Sequence, residues 1–247
     1  MRGRILISTF SVLALVAAML LAGAWTPGPA ATAATAAGSI PEARDLPYLD
    51  RVETASTAVP TAAGPVRADS AQESARTHGK AVAVSVATSN CNGCSATATT
   101  FQVVYNGGSD VAADNSATAS SSCSGCSSSA VSVQLVVARH GRLTVNNRAL
   151  ALNTRCTRCS TTAAALQFVI AGGSRRDLSE RAEALIAQLQ RQLADRLNQA
   201  RKASPQLRLA EPNAQRLADD TAARLQKIIL PDLGAGTVQR AVDVKLG

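Results

Sequence analysis

Residues Ser89–Gly108 read SNCNGCSATATTFQVVYNGG, and the pattern returns as SSCSGCSSSAVSVQLVVARH over Ser121–His140 and TRCTRCSTTAAALQFVIAGG over Thr154–Gly173. All six cysteines of the 247-residue chain lie in these three copies. Cys91, Cys123 and Cys156 open them, and the same offsets then carry Cys94/Cys126/Cys159, Ser95/Ser127/Ser160, Ala98/Ala130/Ala163 and Gln102/Gln134/Gln167. A fixed period of this length is the mark of stacked supersecondary units.

After each CxxC the residues alternate. Phe101, Val103 and Tyr105 share one face, as do Val131, Val133, Leu135 and Val137, and Leu166, Phe168 and Ile170. A period of two means strands, here with one face of large residues and one of small residues and Gln. The small face reads as solvated, and the Gln row as a sheet-stabilising position able to form an amide ladder. The stretches before each CxxC, AVAVSVATSN, SATASSS and ALALNTR, also look extended. Asn92-Gly93 and Ser124-Gly125 centre the first two turns, and Asn-Gly is the favoured pair for a two-residue hairpin loop, while Thr157-Arg158 departs from that chemistry. The expectation is an α+β fold: an antiparallel β-hairpin repeat of three CxxC units packed against C-terminal amphipathic helices.

Cysteines flanking hairpin tips in an exported chain form disulfides by default, which gives Cys91–Cys94, Cys123–Cys126 and Cys156–Cys159. Six cysteines permit 15 pairings, so spacing alone does not fix these. The alternative is metal or thiol-redox chemistry. Two CxxC pairs drawn from Cys91, Cys94, Cys123, Cys126, Cys156 and Cys159 have zinc-ligand spacing. A thioredoxin-like site needs its CxxC at the start of a helix, whereas strand-forming residues follow here. Haem attachment needs CxxCH, and Ser95, Ser127 and Ser160 stand at that place.

Around the repeat the chain divides by composition. Arg2 and Arg4 precede an apolar run ending in Ala22-Gly23-Ala24, the form of a signal peptide over residues 1–24, with an uncleaved anchor as the alternative. Residues 25–80 are Ala-, Thr- and Pro-rich and read as a disordered linker, 81–173 as the repeat, and 174–247 as a helical region. There Leu178, Leu185, Ile186, Leu189, Leu193 and Leu197 form a stripe at helical spacing, with Ser174 or Asp177 as cap and a break before Pro205. A second helix spans about Pro212 to Leu230, and an extended piece carries Val242, Val244 and Leu246. The economical arrangement lays the first helix over the large-residue face.

The formal charge of +8 falls by two if Arg2 and Arg4 leave with a leader. Basic residues in the helical region alternate with Asp177, Glu180, Glu183, Asp195, Asp219 and Asp220, a solvated pattern rather than a nucleic-acid stripe. His78 and His140 are the only histidines, Asp110 and Asp114 sit in a Gly/Ala/Asn loop, and no HExxH, GxSxG or P-loop occurs. No catalytic residue and no cofactor is called for. Over Ala81–Gly173 the motif CxxCSxxAxxxQ, followed by a β-branched run, resembles uncharacterised exported proteins of GC-rich bacteria that carry such CxxC repeats. That resemblance implies secretion and no particular activity. The functional expectation is a secreted, non-enzymatic structural or interaction module whose partner class is a cell-envelope polymer or protein. The alternatives are the metal or redox protein, and a binder of membrane surfaces or anionic polymers through basic helices.

Overall fold

Each strand that follows a CxxC pairs with its counterpart one repeat away, not with the strand before it. In the computed structural model, which describes residues 48–106, 110–138, 141–171, 177–204, 206–235 and 237–247, the elements are β1 (Tyr48–Ala58), β2 (Val66–Ser89), β3 (Ser95–Asn106), β4 (Val111–Ser121), β5 (Ser127–Ala138), β6 (Leu143–Asn153), β7 (Ser160–Ala171), α1 (Glu180–Ala203), α2 (Leu207–Leu233) and β8 (Thr237–Leu246). All belong to the unit Pro41–Gly247; the other unit, Met1–Ile40, lies outside the described residues, as do the expected signal peptide and the first part of the expected linker.

β3 pairs with β5, and β5 with β7, all parallel and with the repeat's aligned positions opposite one another: Ala98–Ala130–Ala163 and Gln102–Gln134–Gln167. The first half of β2 extends this ladder, pairing Val66–Thr77 with Ser95–Asn106. A second parallel ladder runs β1–β2–β4–β6, using the later half of β2. The chain therefore coils, alternating between two sheets, and the antiparallel hairpin repeat is overturned in favour of a β-solenoid of about four turns with two C-terminal helices. The physical reason is in the side chains. A hairpin would leave the small-residue face in water, whereas coiling sets the small faces of the two sheets against each other.

That small face is the solenoid's interior, not a solvated surface. Ala96, Ala98, Ala117, Ala119, Ala130, Ala163 and Ala165 form one buried cluster, and Ser128, Ser132, Gln102, Gln134 and Thr161 have no exposed surface. Small residues let the sheets approach closely, and these five polar side chains find partners inside, whereas the Ser85 hydroxyl, buried on the inner side of β2, has none among the described residues. The large-residue face of β3, β5 and β7 packs on the helices: Phe101, Val133, Leu135, Leu166, Phe168 and Ile170 meet Leu178, Ile186, Leu193 and Leu197 of α1 and its approach, and Leu225 and Ile229 of α2, in one core. These strands are buried on both faces, as parallel strands usually are.

The sheet begins at Tyr48, inside the stretch read as linker. β1 and the first half of β2 form the first coil, held by backbone ladders and by Ala, Ser and Thr side chains. Where β2 passes from one sheet to the other, the chain runs so close to β1 that a Cβ on Gly79 would lie 2.1 Å from the Asp50 carbonyl oxygen. Only glycine fits there. At the other end β8 pairs antiparallel with β7, placing Val242, Val244 and Leu246 in or against the helical core. Helix α1 is capped by Ser179, whose Oγ accepts from the Ala182 N–H, rather than by Ser174 or Asp177. Asp232 of α2 accepts from both the N–H and the hydroxyl of Ser179, at 2.6 and 2.8 Å, and so ties the two helices together.

Candidate functional site: the cysteine column

The three CxxC turns stack along one edge of the solenoid. Within the first, Cys94 N–H donates to the Cys91 carbonyl at 3.0 Å, closing the turn. Between turns, Gly93 N–H donates to Ser124 O at 2.9 Å and Gly125 N–H to Thr157 O at 2.8 Å. The Asn92 side chain accepts the Ser124 N–H at 2.9 Å, and the Thr157 hydroxyl donates to Ser124 Oγ at the same distance. The parallel ladder thus continues through the tips.

Gly93, Gly125 and Arg158 occupy the third place of their turns with φ of 70°, 66° and 56°, and the second-place residues are not left-handed. That pattern excludes the I′ geometry of a tight hairpin, in which both central residues are left-handed, and matches a type II turn, whose third place favours Gly. Asn-Gly suits either turn. The expected hairpin tip was therefore the wrong reading of a correctly located turn. Arg158, in the third copy, accepts the conformation that glycine holds in the other two.

The structure pairs Cys91 with Cys94, Cys123 with Cys126 and Cys156 with Cys159, with Cα separations of 5.4, 5.9 and 5.9 Å, inside the disulfide range. Among the described residues no cysteine is free. The pairs differ in surroundings. Cys94, Cys123 and Cys126 are buried, whereas both members of the last pair are half-exposed, and only that tip carries charge, on Arg155 and Arg158. Cys156 and Cys159 place their sulfurs 2.8 and 2.9 Å from the same oxygen, the Cys123 carbonyl.

The remaining sequence candidates serve the scaffold. His78 lies at the corner within β2, with Nε2 3.0 Å from Asp50 Oδ1; His140 lies outside the described residues. Asp110 accepts from the Arg142 N–H and its guanidinium, each at 2.9 Å, and the Arg142 N–H is the main reason that its carboxyl is held below the usual range. Asp114 sits between Lys80 and Asn146. These acids brace neighbouring coils. At the start of α1 a polar cluster went unread in the sequence. Burial, with the nearby Asp177 carboxylate, drives the Tyr105 phenol far above its ordinary range, and its oxygen accepts the Leu178 N–H at 3.2 Å. Burial also raises Asp177, with Tyr105 and Arg76 opposing. It raises Glu183 too, against hydrogen bonds from Ser74 and Gln72.

No family model matches the chain, and no curated protein or solved structure matches it. The functional reading therefore rests on this geometry.

Proposed function

We propose that the chain is an extracytoplasmic, non-enzymatic structural or interaction module: a stiff solenoid, stapled at three successive turns, that carries helices on one face and presents the other. The observation that supports this most is the column of local bridges. Each would stabilise its turn by about 2 kcal/mol in the chain-entropy model, and bridges of this kind persist in oxidising compartments. Among the described residues no helix is long and apolar enough to cross a membrane.

The face on offer is the outer side of β1–β2–β4–β6. Its rows are in register, for example Thr57–Val86–Thr118–Leu150, and these side chains are half-buried to exposed. A flat, mostly uncharged row of this kind suits an extended partner such as a cell-envelope polymer or protein. The test is to express the full chain in a bacterium, fractionate the cells, map peptides without reduction, and cosediment the purified protein with envelope material. Three local bridges in an extracytoplasmic fraction, with sedimentation lost in Val86→Asp, are expected. Six free thiols in the cytoplasmic fraction, or binding indifferent to Val86→Asp, would overturn the reading.

A further inference from the structure

The last two turns of the column bring together sulfurs from different bridges. Cys126, Cys156 and Cys159 place their Sγ atoms all within 4.8 Å of one another, so half of one bridge faces the whole of the next. We propose that, once Cys123–Cys126 and Cys156–Cys159 are reduced, Cys126, Cys156 and Cys159 form a three-thiolate site for a soft monovalent cation, with Cu(I) the matching ion.

The donor set decides the ion. Soft thiolates select Cu(I), zinc or iron–sulfur clusters. Structural zinc takes four ligands in a tetrahedron, while this cluster supplies three. Metal–sulfur bonds of about 2.3 Å in a trigonal plane put sulfurs about 4 Å apart, so Cys156 and Cys159, bonded to each other in the bridge, must swing apart once reduced, while Cys126 already lies within 4.8 Å of both. Three thiolates on a monovalent ion leave a net charge of −2, and Arg155 and Arg158 flank Cys156 and Cys159 with two positive charges, which also favour thiolate over thiol. In the reduced chain the Cys123 carbonyl, already against both outer sulfurs, accepts thiol hydrogens and holds that pair towards Cys126. The first turn lacks these features. Its tip is Asn92-Gly93, and its sulfurs face the carbonyls of Pro60 and Thr61 instead.

The chemistry balances with a dithiol as reductant. Each bridge receives two electrons and two protons and becomes two thiols, and the dithiol leaves as its own disulfide. Cu(I) then displaces the three protons of Cys126, Cys156 and Cys159, and Cys123 keeps its own.

The full-length chain, reduced with dithiothreitol and desalted without oxygen, is titrated with Cu(I) against a chromogenic copper chelator while circular dichroism follows the strands. One copper per chain is expected, with thiolate-to-copper charge-transfer absorption and the strand signal retained. Cys91→Ser/Cys94→Ser should bind as the parent does, and Cys126→Ser should lose binding. No uptake by the reduced, folded chain would overturn the proposal. So would equal loss on removing the first pair, tighter uptake of zinc than of copper, or loss of the strand signal on reduction. None of these outcomes touches the stapled-module reading, which depends on the oxidised chain.

Discussion

Gln134 donates to Gln102 Oε1 at 2.8 Å and accepts from Gln167 Nε2 at 2.7 Å, and it also donates to the Asp114 carbonyl of the facing sheet. One amide thus joins three coils and both sheets, with no exposed surface. Gln134→Leu keeps the volume but takes the donor from the buried Gln102 Oε1 and leaves Gln167 Nε2 only its longer contacts to the Ala113 and Asn146 carbonyls, each at 3.3 Å, so a loss of about 2 kcal/mol is expected in urea melts. Glu183 has the opposite sign. Burial lifts its carboxyl above the ordinary range, so the folded state prefers the neutral acid. Its favourable contribution is complete below the unfolded value of about 4.3 and disappears as pH rises through the raised value. Glu183→Gln should therefore flatten the fall in stability above about pH 4 and melt higher than the parent at neutral pH; equal pH profiles would refute this. The Gln row was legible because identical residues recur at one offset. Its burial was not, since a small polar face looks alike whether it meets water or another small polar face.

At the scale of elements, the turns show what a local motif can and cannot specify. CNGC and CSGC mark where the chain bends and which residue goes left-handed, but the partner of each flanking strand depends on residues 32 or 33 positions away. Arg158 pays the steric penalty of a left-handed residue that Gly125 avoids. Arg158→Gly should raise stability by up to about 1 kcal/mol, and Gly125→Ala should lower it by a similar amount, even though a methyl there would meet nothing within 4 Å; paired thermal melts read both. The helices were the easier elements to read, because Ile186, Leu193 and Leu197 recur at a spacing that only a helix satisfies. The first coil was missed for a reason specific to β1 and β2. Apart from Val52, the inward residues of β1 are Thr54, Ser56 and Ala58, which in a sequence look too weak to hold a strand. In the solenoid, backbone ladders and hydrogen bonds such as Thr54 Oγ1 to Glu73 at 2.7 Å carry it.

For the whole molecule, the ends of the solenoid matter most. The terminal strands of one sheet are β1 and β6, and a carboxylate occupies each. Asp69 Oδ2 accepts the Thr57 N–H at 2.8 Å, and Asp243 Oδ2 accepts the Ala149 N–H at 2.7 Å. Open strand edges template pairing between molecules, and charge set against them discourages it. Replacing both, Asp69→Val with Asp243→Val, frees two edge N–H groups and removes the charge. Sedimentation velocity should show the double variant forming larger species at concentrations where the parent does not, and unchanged sedimentation would refute the blocking role.

The coil-to-coil register has a kinetic consequence. Every ladder between repeats joins residues about 30 apart in the chain, so the first contact must close a long loop before any strand gains a neighbour. A second coil then adds to an existing template, and folding proceeds as growth from a slow nucleus. The bridges span only four residues each and shorten none of those loops. They can close before any sheet exists, fixing three bends in an otherwise open chain, and their effect on the search lies in aiming the strands rather than in bringing them together.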